Sequence, residues 1–313
     1  VRRPIEEAAA DAGLAESDAQ SAIERGKQAL LKARAGRVPP GRDEKQLTAW
    51  NALAIRGLAI AGRALERDDL IEAAVRAVDF IHSALFIDGR LLASYKHGET
   101  RFPAYLDDHA FQLDALLEMM QARWSSEHLQ FAVTLAYTLL ENFEDTAGGG
   151  FFFTANDHEE LIHRPKPLAD ESVPSGNGIA AFALQRLGFL LGETRYLDAG
   201  GRTLRAAWRA MDEYPHGHVT LLTALEEYLE HPEIVIIRGD EDETGRWRDA
   251  AAKLYAPRRL VFAIGRDEPS LPGALADRAA VDGDTVAYRC LGTHCELPVT
   301  SWEALAASLS ESN

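Results

Sequence analysis

The feature that most constrains this chain is an order of elements that repeats. Thr48 heads a run whose apolar residues, Trp50, Leu53, Ala54, Leu58, Ala61 and Leu65, recur at spacings of three and four, as one face of a helix requires. A second such run carries Ile71, Val75, Val78 and Leu85. Leu91–Tyr95 and Thr100–Pro103 then flank a polar turn at Gly98 and predict a β-hairpin. The cycle restarts with Leu106, Ala110, Leu113, Leu117 and Met120, followed by Ala132, Leu135, Leu139 and Phe143. Gly148, Gly149 and Gly150 are expected to end that helix, and Phe151–Thr154 with Leu161–Lys166 to form a second hairpin. A third pair runs from Ser175 and from Tyr196, and a single helix over about 216–229 closes the series.

A repeat of helix pairs about 60 residues long means a solenoid or a toroid. The first helix of each pair is the more apolar and the second the more charged, so a toroid with an inner and an outer layer is expected. The fold class is mainly α: a toroid of helix pairs with β-hairpins at one face. Residues 1–40 read as a helical segment, with Ser17 or Asp18 as caps, and a Pro-Gly linker; 41–231 hold the repeats. After Pro232 strands alternate with helices: strands over 233–237, 259–264 and 285–290, helices over 247–255 and 302–309. Residues 232–313 therefore read as a small α/β unit.

Net charge narrows the partners. At -16 the chain lacks the clustered cations that phosphate backbones and anionic membranes select, so neither nucleic acid nor membrane is expected. No apolar run reaches the roughly 20 residues of a membrane span, and a cytoplasmic location is the default. Cys290 and Cys295 read as incidental core thiols, since two cysteines make no disulfide framework and Cys-x4-Cys is neither a redox pair nor a zinc knuckle.

Candidate chemistry gathers where inner helices begin. Tyr105-Leu106-Asp107-Asp108-His109 sets two carboxylates and an imidazole ahead of an apolar run. Thr48-Ala49-Trp50-Asn51, Ser175-Gly176-Asn177 and His216-Gly217-His218 sit at the other starts. Helix capping accounts for Thr48 and Ser175. It needs one residue per helix, and here aromatic, amide and imidazole groups accompany the caps. Trp50 and Tyr105 suit stacking on a sugar, Asn51, Ser175, Asn177 and His218 suit its hydroxyls, and Asp107, Asp108 and His109 are the candidate acid–base groups. Adjacent residues on a helix diverge by about 100°, so Asp107 and Asp108 cannot both face one cavity. His216 and His218 do not share a helix face as a metal pair would, and no metal or cofactor is expected.

Asp43-Glu44-Lys45-Gln46-Leu47-Thr48-Ala49-Trp50-Asn51 resembles the D-D-K-x-L-T-x-W-N segment of thioredoxin-domain-containing proteins similar to spermatogenesis-associated protein 20. Leu106-Asp107-Asp108-His109-Ala110 looks like that family's L-D-D-Y-A, with His109 where Tyr is usual. Gly149–Thr154, Arg164-Pro165-Lys166, Pro174–Asn177 and Cys295–Thr300 match as well, so the resemblance covers nearly the whole chain. It implies an incomplete or complete (α/α)6-type toroid, similar to N-acylglucosamine 2-epimerases and six-hairpin glycosidases. It also implies a thioredoxin-like domain ahead of the toroid, as a partner within one longer chain of which this is a C-terminal part. The function it implies is carbohydrate processing or binding, glycosidase- or epimerase-like; the alternative is a non-catalytic substrate-binding module serving the thioredoxin-like domain.

Overall fold

The computed structural model describes residues 3–159, 161–268, 271–281 and 283–310. Two compact units divide after Glu44. The first holds α1 (Ile5–Asp11) and α2 (Glu16–Ala35), with Ala9 and Ala19 as its buried side chains. The residue before α2 is Ala15, with no side-chain cap, so the expected caps at Ser17 and Asp18 lie inside the helix instead.

In the second unit β1 (Gln46–Leu47) leads into α3 (Thr48–Ala64), which is followed by α4 (Asp68–Phe80) and a π-helical turn to Leu85. Strands β2 (Phe86–Ile87), β3 (Arg90–Lys96) and β4 (Glu99–Pro103) come next, with β1, β2 and β4 all antiparallel to β3. The repeat continues with α5 (Leu106–Ala122), α6 (Ser126–Thr138), α7 (Gly176–Leu191), α8 (Thr194–Glu213) and α9 (Val219–Leu229). α5 packs on α3, α7 on α5 and α9 on α7, while α4, α6 and α8 each pack on the helix before them. That is a two-layer α/α arc, an incomplete toroid, as the apolar spacings predict. Nearly every residue of α5 and α7 is buried, polar ones such as Asp114, Glu118 and Arg186 included, and those three are paired with one another or with neighbouring helices. α3 and α5 run parallel: Asp108 at the start of α5 accepts the Ala49 amide at the start of α3, and toward their ends Glu118 of α5 pairs with Arg63 of α3.

Two expectations fail between α6 and α7. α6 gives way to a π-helical turn that ends at Phe143, short of the glycines, and among the described residues there is no second hairpin, just a bridge between Glu144 and Phe151. The three phenylalanines serve separate ends. Phe151 enters the core, the Arg164 guanidinium lies 4.2 Å from the centre of the Phe152 ring, and Phe153 stacks on Tyr105. Gly149 and Gly150 both adopt the left-handed conformation that breaks a ladder. Pro165 and Pro167 supply no amide to one.

The C-terminal region is β5 (Glu233–Gly239), α10 (Glu241–Ala252), β6 (Arg259–Gly265), β7 (Val286–Leu291), β8 (His294–Cys295) and α11 (Trp302–Ser310). β6 and β5 are parallel, and β7 then β8 extend the sheet antiparallel. Alternate residues of β5 face opposite ways. Ile234 and Ile236 join the main helical core, and Val235 and Ile237 pack with Trp247, Leu305 and Leu309. The sheet is therefore covered on both faces.

The two cysteines are not the free thiols expected of them. Cys290 and Cys295 are bonded to each other, because the β7–β8 register sets them directly opposite. The bridge closes one hairpin and is not part of a framework.

Candidate functional site

The start of α3 is held by a residue of α5. Asp108 accepts the Ala49 amide on Oδ1 at 2.9 Å and the Tyr105 amide on Oδ2 at 2.8 Å. Each of these N–H groups is an orphan donor at a helix start, so one carboxylate ties two neighbouring inner helices together. Burial pushes its carboxyl up to about 7, against the pull of the two amides. Thr48 is not the cap expected of it: its hydroxyl donates to the Leu92 carbonyl at 2.6 Å and fixes α3 to β3. His109 is buried against Phe143, with Nδ1 on the Tyr105 carbonyl at 2.9 Å, and burial lowers its pKa to about 4. It is a neutral packed ring at physiological pH.

Asp107 is placed differently. One residue on from Leu106, it shares with Asp114 and Glu118 the face that α5 presents toward α3 and α7, because residues seven and eleven apart return to nearly the same azimuth. The Arg56 guanidinium pairs with Asp114, and Arg63 and Arg186 pair with Glu118. Among the described residues Asp107 has no such partner. It abuts α7, where a Cβ at position 176 would collide with its Oδ1, so Gly176 is what makes room for it. Burial alone pushes its carboxyl up to about 6. A carboxylate partly shielded from water, unpaired among the described residues, and raised toward neutrality is a candidate acid–base group.

The remaining candidates separate into anchored and free. Asn177 is wholly buried: Oδ1 accepts the Phe151 amide at 2.7 Å, and Nδ2 donates to the Phe151 carbonyl at 3.0 Å and the Pro167 carbonyl at 2.8 Å. It pins the long loop before α7. Ser175 caps α7 through the Gly178 amide at 3.3 Å. Asn51 donates to the Leu47 carbonyl, and His218 sets Nδ1 on the Tyr214 carbonyl at 2.8 Å. Tyr105 stacks nearly parallel on Phe153 at 5.0 Å, which covers one ring face. Trp50 is 64% exposed and has no ring partner among the described residues. Of the nine candidates, Asp107 and Trp50 are the two for which no hydrogen bond, ion pair or ring contact is seen among the described residues. The described residues contain no convergent group of three metal-ligating side chains, nor a helix long and apolar enough to cross a membrane.

Asp170 escaped the sequence reading. Its Oδ1 accepts the Ser175 amide and its Oδ2 the Thr220 amide, both at 2.8 Å, so it ties α7 to α9 as Asp108 ties α3 to α5. Although partly desolvated, its carboxyl is held below the usual carboxylate range by Thr220 and Ser175. It lies in a loop five residues ahead of a cap, a position that no periodicity marks. The Arg56–Asp114 pair escaped as well, since ion pairs across helices leave no trace in local spacing.

No family model matches the chain. Spermatogenesis-associated protein 20 of Homo sapiens is 27% identical over an alignment of 317 positions that covers 96% of this chain and 40% of that protein. The Mus musculus protein of the same name is 28% identical with the same coverage. An uncharacterized protein of Caenorhabditis elegans is 25% identical over 96% of this chain and 42% of its own. The resemblance read from the motifs is therefore borne out, and the chain spans about 40% of the length of the curated relatives it matches. Among solved structures, a GH76 alpha-mannanase of Bacteroides thetaiotaomicron has a TM-score of 0.47 and 12% identity over 74% of this chain and 64% of that one. A cellobiose 2-epimerase of Spirochaeta thermophila has a TM-score of 0.44 and 19% identity over 53% and 44%.

Proposed function

We propose that this chain is the carbohydrate-processing or carbohydrate-binding part of a longer protein, and that Asp107 exchanges a proton with a polyhydroxylated ligand held at the start of α5. The observation that carries the reading is the unpaired, desolvated Asp107 carboxyl, raised to about 6. Such a group is half-protonated near its operating pH and serves as acid or base. Trp50 offers an open aromatic face, and a sugar ring stacks on such a face with its C–H side. Asp108 acts through the helices it ties: it positions Tyr105 and Ala49.

Glycoside hydrolysis needs two carboxylates across the bond, roughly 5–9.5 Å apart. Asp108 spends both oxygens on backbone amides. This argues against hydrolysis by an Asp107–Asp108 pair and leaves Asp107 to take or give one proton in a reaction such as epimerisation, whose return proton to the opposite face comes from a second group. It equally supports the second reading, a binding module without turnover whose partner is the thioredoxin-like domain that the resemblance implies. A thermal-shift screen against monosaccharides, amino sugars and short oligosaccharides tests the proposal. A ligand at about 100 times its dissociation constant adds roughly 2.7 kcal/mol of stability. A sugar that stabilises the wild type, loses that effect in Trp50→Ala, and is turned over with an apparent pKa near 6 supports the catalytic reading. Binding without turnover selects the module. Silence across the panel removes carbohydrate from both.

A further inference from the structure

At the opposite ends of the inner helices from Asp107, where α3 carries Arg63 and α5 carries Glu118 and Gln121, lies a cavity of about 830 Å³. Small-molecule sites run from about 300 to 1,000 Å³. The chain as a whole carries -16, yet this wall holds Arg56, Arg63, Arg186, Arg248, Lys253 and Arg259 against four carboxylates. Sequence spacing hides the cluster, because its members come from α3, α7, α10 and β6.

Several of these cations are fixed from behind. Asp114 holds Arg56 at 2.7 Å, Glu227 grips Arg186 with bonds of 2.9 and 2.6 Å, and Glu233 pairs with Arg259. Fixed guanidinium forks are what bidentate oxyanion recognition requires. Part of the donor set is left over. Arg259 is 9% exposed, and its Nη1 has no acceptor among the described residues. The Nε of Arg63 has none either. A buried donor without an acceptor costs about 1–3 kcal/mol, a cost that an arriving anion removes. Burial, with Arg186, Arg248 and Arg56 close by, also drives the Arg63 guanidinium below its usual range against the pull of Glu118. Tyr255 at the rim is 84% exposed.

We propose that this cavity binds the oxyanion of a small molecule bearing a phosphate or carboxylate group, with Arg63 and Arg259 as its donors, Arg248, itself held by Asp249 and the Ala122 carbonyl, adding positive charge at the wall, and Tyr255 beside its uncharged part. The site is separate from Asp107 and does not rest on the sugar reading. Inorganic phosphate, and separately malonate, titrated into the full chain by calorimetry at ionic strength held constant with chloride tests it. Saturable binding of either anion, weakened at least about tenfold in Arg63→Gln and in Arg248→Gln, is the expected result. Asp107→Asn leaves it unchanged. Phosphate-only binding assigns a phosphorylated ligand, and malonate binding assigns a carboxylate. Circular dichroism checks that each variant folds, and Arg248, partly exposed at the wall, keeps the test open if Arg63→Gln does not. Absence of saturable heat with both anions, or binding undiminished in the folded variants, overturns the proposal.

Discussion

Replacing Asp107 by Asn stabilises the protein at neutral pH and leaves it unchanged in acid. The carboxyl is raised from an ordinary 3.8 to about 6 by burial, with no compensating partner. The native state therefore keeps its proton where the unfolded chain has lost it. Between about pH 4 and 6 the unfolded state binds fewer protons, so stability falls as pH rises through that window and is level above it. A rise of that size corresponds to about 3 kcal/mol, an upper figure because the side chain keeps some contact with water. Asn has the same shape and fits against Gly176 without a charge to desolvate. Urea denaturation of both forms from pH 4 to 8, followed by the fluorescence of the five tryptophans, gives the difference directly. Asp108 is common to both forms, so its own titration largely cancels. Asp107→Asn more stable by about 2–3 kcal/mol at pH 7.5, converging with wild type near pH 4, is expected. A difference independent of pH, or a variant that is less stable at pH 7.5, would refute the reasoning.

Other residues give sharper structural tests. Asp108→Ala strips the acceptor from two helix-start amides and costs about 2–4 kcal/mol by thermal denaturation, whatever its effect on ligand. Asn177→Ala leaves the Phe151 amide and carbonyl without partners and costs about 2–3 kcal/mol, with proteolysis appearing first in the 144–175 loop. Gly176→Ala forces Asp107 aside, so its expected signature is loss of the pH-dependent part of stability together with about 1–3 kcal/mol of overpacking. Reduction of Cys290–Cys295 opens a loop of a few residues, for which the chain-entropy model gives about 2 kcal/mol, and hydrogen exchange rises at β7 and β8 alone.

Much of the architecture was legible because helix pairs announce themselves by apolar spacing. α3 through α9 begin and end within a few residues of where Leu, Ile and Ala recur, and β3–β4 follows from a polar Gly turn between apolar arms. The run Phe151–Phe153 misled because a strand is read from residue type, while two left-handed glycines and two prolines decide the backbone. The cysteines misled because spacing says nothing about register; a two-residue turn at Gly292 and Thr293 sets them opposite. At the site, the 100° separation of neighbours on a helix already required Asp107 and Asp108 to take different roles. Which faced the axis depended on α3 and α7, elements more than 40 residues away in the chain. Thr48 shows the same limit: its hydroxyl found a strand carbonyl 44 residues on in place of its own helix.

The most direct test of Asp107 as a free proton-exchanging group is its own titration. Carboxyl-carbon NMR of the selectively labelled protein, with Asp107→Asn to assign the resonance, reads its pKa without any assumption about substrate. A midpoint near 6 that moves when a stabilising sugar is added is the predicted result. A midpoint at or below the ordinary 3.8, unmoved by ligand, would mean that the carboxylate has a partner and that Asp107 is no more than another helix-start residue.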